Sequence, residues 1–321
     1  MKHAWILGLL MAVGWSSAEA APYKDDSVDD QWFTGSLLAP SPALPKAGIM
    51  AVEPYVVYQG NTGAFTGDWG NTSVSHPLNQ VESLTVLKYS ITDRLSIQAL
   101  PSLSALWTDQ TTSGGVKFGD LPIEVEYRFK DEDRKTGSPS VTVELGMSVP
   151  TGAYQYLQTP LAGVGSGAFT AKEGILLQSL FDTWGNHPMR VRLYLAAYEP
   201  LGSVSVRDTS SYGTTQGFQG YATPGISINT GVGIEYGLNQ RWVLALDAAM
   251  NYNTGFSLIG SNADGSPMNV SSVSSTSFAL APAVEYNFNG SVGLIVGVQF
   301  SVAGQNTPSY IAPQIALAVA F

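Results

Sequence analysis

The chain has 321 residues, with 25 Asp and Glu against 15 Lys and Arg, a formal charge of −10. This acidic balance, without a long basic run, excludes nucleic acid as an expected partner. The lack of cysteine excludes a disulfide scaffold and thiolate metal sites. Abundant glycine and tyrosine beside only 12% charged residues favour a sheet protein rich in aromatic side chains.

Residues 1–20 have the pattern of a secretory signal peptide. A positively charged start precedes an apolar run from Ala4 to Val13, and small residues through Ala20 form a cleavage site. The apolar run is too short for a spanning helix. A retained anchor is the alternative, and the small residues at the cleavage site favour removal of the segment.

Residues 21–46 form a separate N-terminal segment. The segment begins acidic, continues through an apolar stretch at residues 32–38, and ends in a tract that contains Pro40, Pro42 and Pro45. Because proline lacks an amide hydrogen and has a fixed φ, this tract excludes a helix or a central strand. We predict an extended segment.

Residues 47–321 contain period-2 segments of the length that a tilted strand needs to cross a bilayer. Twelve such strands are predicted, at 47–58, 82–91, 94–106, 117–130, 139–149, 170–183, 187–200, 224–237, 240–254, 276–288, 291–303 and 309–321. Short turns alternate with mostly longer loops rich in Gly, Ser, Thr and Asn. The pattern predicts an all-β, antiparallel, up-and-down transmembrane barrel with short periplasmic turns and long extracellular loops. A soluble β-sandwich is the alternative, although it gives no reason for this alternation.

Six aromatic residues mark the periplasmic ends of the even-numbered strands. They are Tyr89, Tyr127, Phe181, Tyr236, Tyr286 and Phe321. Residues two and four positions earlier are usually apolar, which places these aromatic side chains on the lipid face at the level of the headgroups.

The opposite parity carries charge, and we expect it to face the lumen because charge on the lipid face costs about 2–4 kcal/mol at mid-bilayer. The predicted lumen residues are Glu53, Lys88, Glu124, Glu126, Arg128, Glu144, Arg190, Arg192, Glu235, Asp247 and Glu285. One interpretation is a network of ion pairs that braces the wall. The other is a constriction that selects a permeant solute, and both can hold at once.

Inward positions on the later strands are often glycine or alanine, so one side of the lumen is predicted to be smooth. Such a wall either leaves an open channel or receives a packed segment. We hypothesise that the N-terminal segment lies against it through Trp32, Phe33, Leu37 and Leu38. A disordered periplasmic tail is the alternative.

Catalytic and metal chemistry have little support in the sequence. His76 and His187 are predicted on opposite sides of the membrane, so they cannot share a metal, and neither has a ligand pair at helical spacing. A Ser–His pair of the outer-membrane phospholipase kind needs a nucleophile within hydrogen-bond reach. We expect no cofactor, no metal and no enzymatic activity.

Several turns resemble a known family. The block Phe118-Gly-Asp-Leu-Pro through Tyr127-Arg-Phe, the acidic turn at 131–133 and Pro150-Thr-Gly are similar to the core of transporter-like outer-membrane proteins named for the meta-cleavage pathway of phenol degradation. Tyr89-Ser-Ile-Thr-Asp-Arg and Tyr236-Gly-Leu-Asn-Gln-Arg resemble its repeated turns. The resemblance implies a conduit for aromatic or other small hydrophobic compounds.

Together these patterns predict an outer-membrane channel or facilitator of a Gram-negative bacterium. The expected partners are outer-membrane lipid, a small-molecule solute, and the barrel-assembly machinery through the C-terminal strand. The alternative is a sealed structural or surface-interaction barrel that acts through its extracellular loops.

Overall fold

The structure, a computed structural model, describes residues 31–134, 136–183 and 187–321. The predicted signal peptide, residues 21–30 and the turn at 184–186 lie outside the described residues. No helix among the residues described is long and apolar enough to cross a membrane. The only helical turn in these ranges is a 3₁₀ turn at Pro160–Ala162.

The described residues form nineteen β-strands. They are β1 (Met50–Phe65), β2 (Asn71–Thr72), β3 (Asn79–Thr92), β4 (Leu95–Ala99), β5 (Ser102–Trp107), β6 (Lys117–Phe118), β7 (Leu121–Lys130), β8 (Ser140–Val149), β9 (Thr170–Asp182), β10 (Pro188–Pro200), β11 (Val204–Arg207), β12 (Gln219–Thr223), β13 (Ser227–Gly237), β14 (Trp242–Asn253), β15 (Ser257–Ser261), β16 (Pro267–Ser271), β17 (Ser275–Asn289), β18 (Val292–Gln305) and β19 (Thr307–Ala320).

The main sheet is a closed antiparallel barrel of twelve strands, as predicted. β4 and β5 together form one barrel strand, interrupted at Pro101, which has no amide hydrogen to donate to the ladder. Closure comes from β1, which pairs with β3 on one side and with β19 on the other, in a register that sets Val56 opposite Ile315. A closed barrel leaves no sheet edge in lipid.

The short connections use side chains that satisfy turn amides. Between β17 and β18, the Asn289 carboxamide oxygen accepts from the amides of Ser291 and Val292 at 2.8 and 2.9 Å. Between β13 and β14, Asn239 accepts from the amides of Arg241 and Trp242 in the same way, both at 3.0 Å. These turns explain why the short connections are regular enough to be recognised from the sequence.

Two long loops contain more structure than the sequence indicated. Strands β11, β12, β15 and β16 form a separate four-stranded antiparallel sheet from residues predicted to be loop. β12 and β15 lead into and out of the β13–β14 hairpin, so this sheet extends the wall beyond the barrel. β1 also continues to Phe65, past its predicted end at 58. The ten-residue spacing misses the four-stranded sheet because its strands are only four or five residues long, shorter than a strand that crosses a bilayer.

The outward face is apolar and the inward face is buried. Along β14, Leu244 and Leu246 are exposed to the surroundings, whereas Asp247 is fully buried. The periplasmic aromatics Tyr89, Tyr127, Phe181 and Phe321 are all exposed at the outer surface. Tyr236 and Tyr286 are half-buried, because their rings pack on His187 and Trp242, with centroid distances of 5.4 and 4.7 Å.

Candidate functional site in the barrel lumen

A lysine that the sequence analysis missed stands at the centre of one charged cluster. Lys172 on β9 lies 2.8 Å from Glu124 and 3.1 Å from Glu144, and all three side chains are buried. β7, β8 and β9 are neighbours in the barrel, so the three residues face the same stretch of lumen. Strand alternation could have identified it. Lys172 lies an even number of residues from Gln178, so both side chains lie on the inward face of β9.

Glycine makes space for this cluster. A Cβ added at Gly146 would lie 2.8 Å from the Glu124 Cγ, and one at Gly174 would lie 2.8 Å from a Glu144 carboxylate oxygen. Because adjacent inward positions on β8 and β9 carry no side chain, the two carboxylates can reach Lys172.

A second cluster joins β10 to β13. Arg190 donates to both carboxylate oxygens of Glu235, at 2.7 and 2.5 Å, in a bidentate pair. Arg192 approaches the same carboxylate at 3.2 Å and donates to the Gln178 side chain. Both arginines are at most 2% exposed. Truncation of either one would leave a buried carboxylate with fewer partners.

The remaining predicted lumen residues also face inward. Lys88 on β3 lies 2.6 Å from Glu126 on β7, and both side chains are fully buried. Glu53 accepts a hydrogen bond from the Tyr55 hydroxyl at 2.7 Å. Arg128 is half-buried at the short-turn end of β7, 3.8 Å from Asp131.

The described part of the N-terminal segment, residues 31–46, lies inside the barrel. It starts near the short-turn end, where the Trp32 amide donates to the Gln240 carbonyl at 3.3 Å. The Phe33 ring then packs under the Arg190 guanidinium, 4.3 Å from its centroid. The segment returns to the same end, where the Ala47 amide donates to Asp93 at 2.8 Å.

Two lumen carboxylates accept hydrogen bonds from the backbone of this segment. Glu285 accepts from the amides of Thr34 and Gly35 at 2.6 and 3.4 Å. Asp247 accepts from the Ser36 hydroxyl and from three successive amides, at 3.0, 3.4 and 3.4 Å. The three amides belong to Leu37, Leu38 and Ala39. Converging amides of this kind form a nest for an anion.

The segment's carbonyls face donors of the opposite wall. Arg192 donates to the Ala39 carbonyl at 3.1 Å, the Thr142 hydroxyl to Pro42 at 2.7 Å, and Arg128 to Leu44 at 3.2 Å. The segment therefore satisfies its backbone without joining the sheet, which its prolines would prevent.

The smooth wall receives the apolar side chains of the segment. Leu37 and Leu38 are at most 1% exposed and join a cluster with Ala281, Ala283 and Ala316. A Cβ at Gly297 would lie 2.6 Å from a Leu37 methyl, and one at Gly293 would clash with Thr34. Burial of two leucines contributes roughly 4 kcal/mol towards docking of the segment.

Loops pack against one another and against the wall at the long-loop end. Leu161 and Val164 are buried against Leu106 on β5, and Ser211 from a neighbouring loop donates to the Gly165 carbonyl at 3.0 Å. At the base of this loop, the Asp120 carboxylate accepts from the amides of Gly152 and Ser166 at 2.9 and 2.8 Å. Burial raises the pKa of Asp120 against the opposing effect of these hydrogen bonds.

The histidines do not come together. His76 Nδ1 lies 2.7 Å from Asp109, but its Nε2 contacts the Gln110 amide at 2.9 Å, which is not a nucleophile. His187 Nδ1 lies 2.8 Å from the Gly237 carbonyl at the opposite end of the barrel. Within the described ranges, no group of three His, Asp or Glu side chains is placed to hold a metal ion.

Solved structures of outer-membrane barrels resemble this fold. An outer-membrane channel from Pseudomonas putida F1 superposes with a TM-score of 0.63 at 13% identity, over 87% of this chain and 97% of that chain. The transport unit of the autotransporter AIDA-I from Escherichia coli gives 0.49 at 12% identity, over 86% and 91%. The NanC porin gives 0.39 at 9% identity, over 84% and 98%. At these identities the similarity shows the fold alone. The comparison of folds depends on the Pseudomonas channel, because the other two structures superpose less well.

Searches at the sequence level found no counterpart. No protein-family model matches the chain, and no curated protein sequence matches it. The resemblance to proteins named for phenol degradation therefore has no support beyond the turn motifs.

Proposed function

We propose that this protein is a Gram-negative outer-membrane channel for small molecules, with residues 21–46 as a plug that closes the lumen. Residues 1–20 act as the signal peptide, and residues 47–321 form the barrel. The observation that carries the proposal is the way the segment is held. Its described part, residues 31–46, is held in the lumen by hydrogen bonds and two leucines, and none of these residues joins a strand of the wall.

A plug held in this way can leave without opening the barrel. The ion pairs between Lys172, Glu124 and Glu144 and between Arg190 and Glu235 lie entirely within the wall. Removal of the segment therefore leaves the bracing network in place. The vacated space is lined on one side by charge and on the other by alanine and glycine, a wall suited to passage of a solute.

Single-channel conductance of the refolded protein in planar bilayers tests this proposal. We expect the full chain to conduct rarely, and a chain without residues 22–44 to open in discrete, larger steps. Silence from both chains would overturn the channel function.

A reversible lock gives a sharper version of the same test in the full chain. The Cβ of Thr34 lies 3.0 Å from the position that a Cβ at Gly293 would take, so a disulfide between Thr34→Cys and Gly293→Cys needs a small outward shift. Because the chain has no cysteine, no other pairing competes. The oxidised protein should be silent, and reductant should restore openings. The single variant Gly293→Cys is the matched control, and it should not respond to reductant.

We further propose that the inward charges choose the solute. The resemblance to proteins named for phenol degradation, together with the channel fold of the Pseudomonas protein, makes aromatic compounds the first class to test. Liposome uptake of phenol against phenethylamine separates aromatic character from positive charge. Faster uptake of the amine would assign selection to the lumen charges, whereas equal uptake would assign it to the apolar wall.

The placement of the remaining partners follows from the channel proposal. Outer-membrane lipid contacts the apolar outer face, and the C-terminal strand that ends at Phe321 is the element offered to the barrel-assembly machinery. Replacement of Phe321 by Ala should lower the amount of folded barrel in outer-membrane fractions. The same fractions test the localisation.

A second candidate function has one specific observation in its favour. The sheet of β11, β12, β15 and β16 exposes Tyr221 and Ile259 side by side, at 65% and 60%. An apolar pair above the membrane suits a surface-interaction barrel that acts through its loops. Silence in bilayers combined with loss of surface binding by Tyr221→Ser would favour this function over the channel.

A further inference from the structure

The lumen holds more negative than positive side chains. Eight inward carboxylates of the described strands, Glu53, Glu82, Glu124, Glu126, Glu144, Glu235, Asp247 and Glu285, face five cations, Lys88, Arg128, Lys172, Arg190 and Arg192. Lysine and arginine form close pairs with Glu124, Glu126, Glu144 and Glu235. Asp247 and Glu285 instead accept from neutral groups of the N-terminal segment. Neutral donors satisfy the hydrogen bonds of a carboxylate but not its charge.

Glu285 has acceptor capacity that the segment leaves unused. Its Oε2 receives the segment's amides, but its Oε1 is buried without a hydrogen-bond donor in the described structure. The Glu235 carboxyl, which pairs with Arg190 and Arg192, is a close neighbour of Glu285. Two carboxyl groups in contact require a shared proton or a neighbouring cation. Arg190 and Arg192 already pair with Glu235 there, so what the pocket leaves open is the Glu285 Oε1, a buried acceptor without a donor in the described structure.

The segment has the hydrogen-bonding character of a polyvalent N–H donor. Five of its amides, from Thr34, Gly35, Leu37, Leu38 and Ala39, point at the two carboxylates. A guanidinium group presents five N–H donors and an ammonium group three, and each adds the positive charge that amides lack.

We propose that Asp247 and Glu285 form a binding site for organic cations that carry guanidinium or primary ammonium groups, and that the N-terminal segment occupies this site when the solute is absent. The inference rests on the proposed channel function and names its solute class. Since solute and segment use the same carboxylates, they exclude one another. A solute that binds only the segment-free state shifts the protein towards that state, so the solute opens its own path.

The test measures displacement of the segment directly in the full-length protein. Ser41 is fully buried in the segment, and the hydrogen bonds to Asp247 and Glu285 described above come from other residues of the segment. Ser41→Cys therefore introduces one thiol of nearly the same size into a protein that has no cysteine. The refolded protein in liposomes is exposed to a membrane-impermeant maleimide with agmatine, or with tetramethylammonium at equal concentration. Tetramethylammonium has the same type of charge but no N–H donor.

We expect agmatine to raise the labelling rate about tenfold at saturation, the change that a 1.4 kcal/mol shift in the equilibrium produces, and tetramethylammonium to leave it unchanged. In the same background, Asp247→Asn and Glu285→Gln should each abolish the agmatine response, whatever their basal rate. Asp264→Asn is the matched control, because Asp264 lies in an exposed turn of the extracellular sheet, and it should keep the full response.

Each other result overturns a defined part of the argument. Equal acceleration by both cations would mean general ionic loosening of the segment and would overturn the N–H-specific site. No acceleration by agmatine would overturn the cation site, and conductance on truncation would still stand. Agmatine-dependent labelling in a protein that never conducts would uphold the site and overturn the channel function.

Discussion

The space inside the barrel is filled in different ways along the two halves of the lumen wall. From β7 to β13, long charged side chains from neighbouring strands pair with one another along the wall, as Lys172 does with Glu124 and Glu144. From β17 to β19, the wall offers alanine and glycine, and the space before it is filled by Leu37 and Leu38 of the N-terminal segment. The ion pairs of the first half form without the segment, although Arg192 and Thr142 also donate to its carbonyls, whereas the second half relies on the segment for its packing.

This difference indicates which contacts can be released without loss of the fold. A buried ion pair within the wall costs several kcal/mol to break, because it leaves a charge without its partner. A segment that packs on a smooth wall leaves behind small side chains, two carboxylates that lose neutral donors, and the donors of Arg128, Thr142 and Arg192. Under the proposed function the barrel keeps its shape while the N-terminal segment moves, and the following variants test that separation.

The largest expected effect is on the charged half. Lys172→Met leaves Glu124 and Glu144 without their shared cation, and we expect it to lower the free energy of unfolding by about 3–5 kcal/mol. Guanidinium unfolding in detergent, followed by tryptophan fluorescence, measures the change. Lys130→Met is the control, since Lys130 is exposed at the end of β7, and it should cost less than about 1 kcal/mol. Similar losses in both would refute a bracing role for the Lys172 cluster.

Leu38→Ala should act on the segment and spare the barrel. Loss of a fully buried leucine costs about 3 kcal/mol of docking free energy, so labelling of the Ser41→Cys thiol should rise by roughly two orders of magnitude. The guanidinium midpoint of the barrel should stay within error. Leu246→Ala on the lipid face is the matched control and should not alter labelling. A large fall in barrel stability would mean that the segment and the wall form one cooperative core.

A larger side chain on the smooth wall should also weaken docking of the segment, here through a change in the wall and not in the segment. Ala281→Leu adds a side chain where Leu37 and Leu38 pack, and overpacking should weaken docking by about 2 kcal/mol. More frequent openings in planar bilayers are the expected readout. Ala248→Leu, on the outward face of β14, is the control of equal size. If both variants behave alike, the smooth wall is not the docking surface.

The smallest expected effect belongs to Ser36. Ser36→Ala removes one donor to Asp247 and one acceptor for the Ala39 amide, and a change of about 1 kcal/mol is expected in docking. Thiol labelling should rise several-fold, whereas Ser205→Ala in the exposed β11 should leave it unchanged. If the effect were as large as that of Leu38→Ala, the segment would be held mainly by the contacts to Asp247 and not by apolar burial.

Strand number and parity were accessible from the sequence because a bilayer imposes simple rules. The ten-residue spacing, the alternation of Glu124 and Glu126 with Val125 and Tyr127, and the short Asn-Gly turn before β18 all predict the barrel that is observed. The extracellular sheet was not accessible, because β11, β12, β15 and β16 lie beyond the lipid, where no such rule applies. Lys172 was missed because the next inward position on β9 is Gly174, which has no side chain and so hides the alternation of inward and outward residues.

What the sequence determined by itself is which side of the wall each residue faces, since a charge in lipid is costly and a backbone in lipid must be paired. What only the tertiary structure decided is which partner each inward group meets. Arg190 and Glu235 lie 45 positions apart, and Asp247 meets an amide 210 positions away. Closure of the barrel creates these neighbours, because they sit on different strands or on the segment inside them. The division of the lumen into a half braced by ion pairs and a half packed by the N-terminal segment is therefore a property of the closed fold.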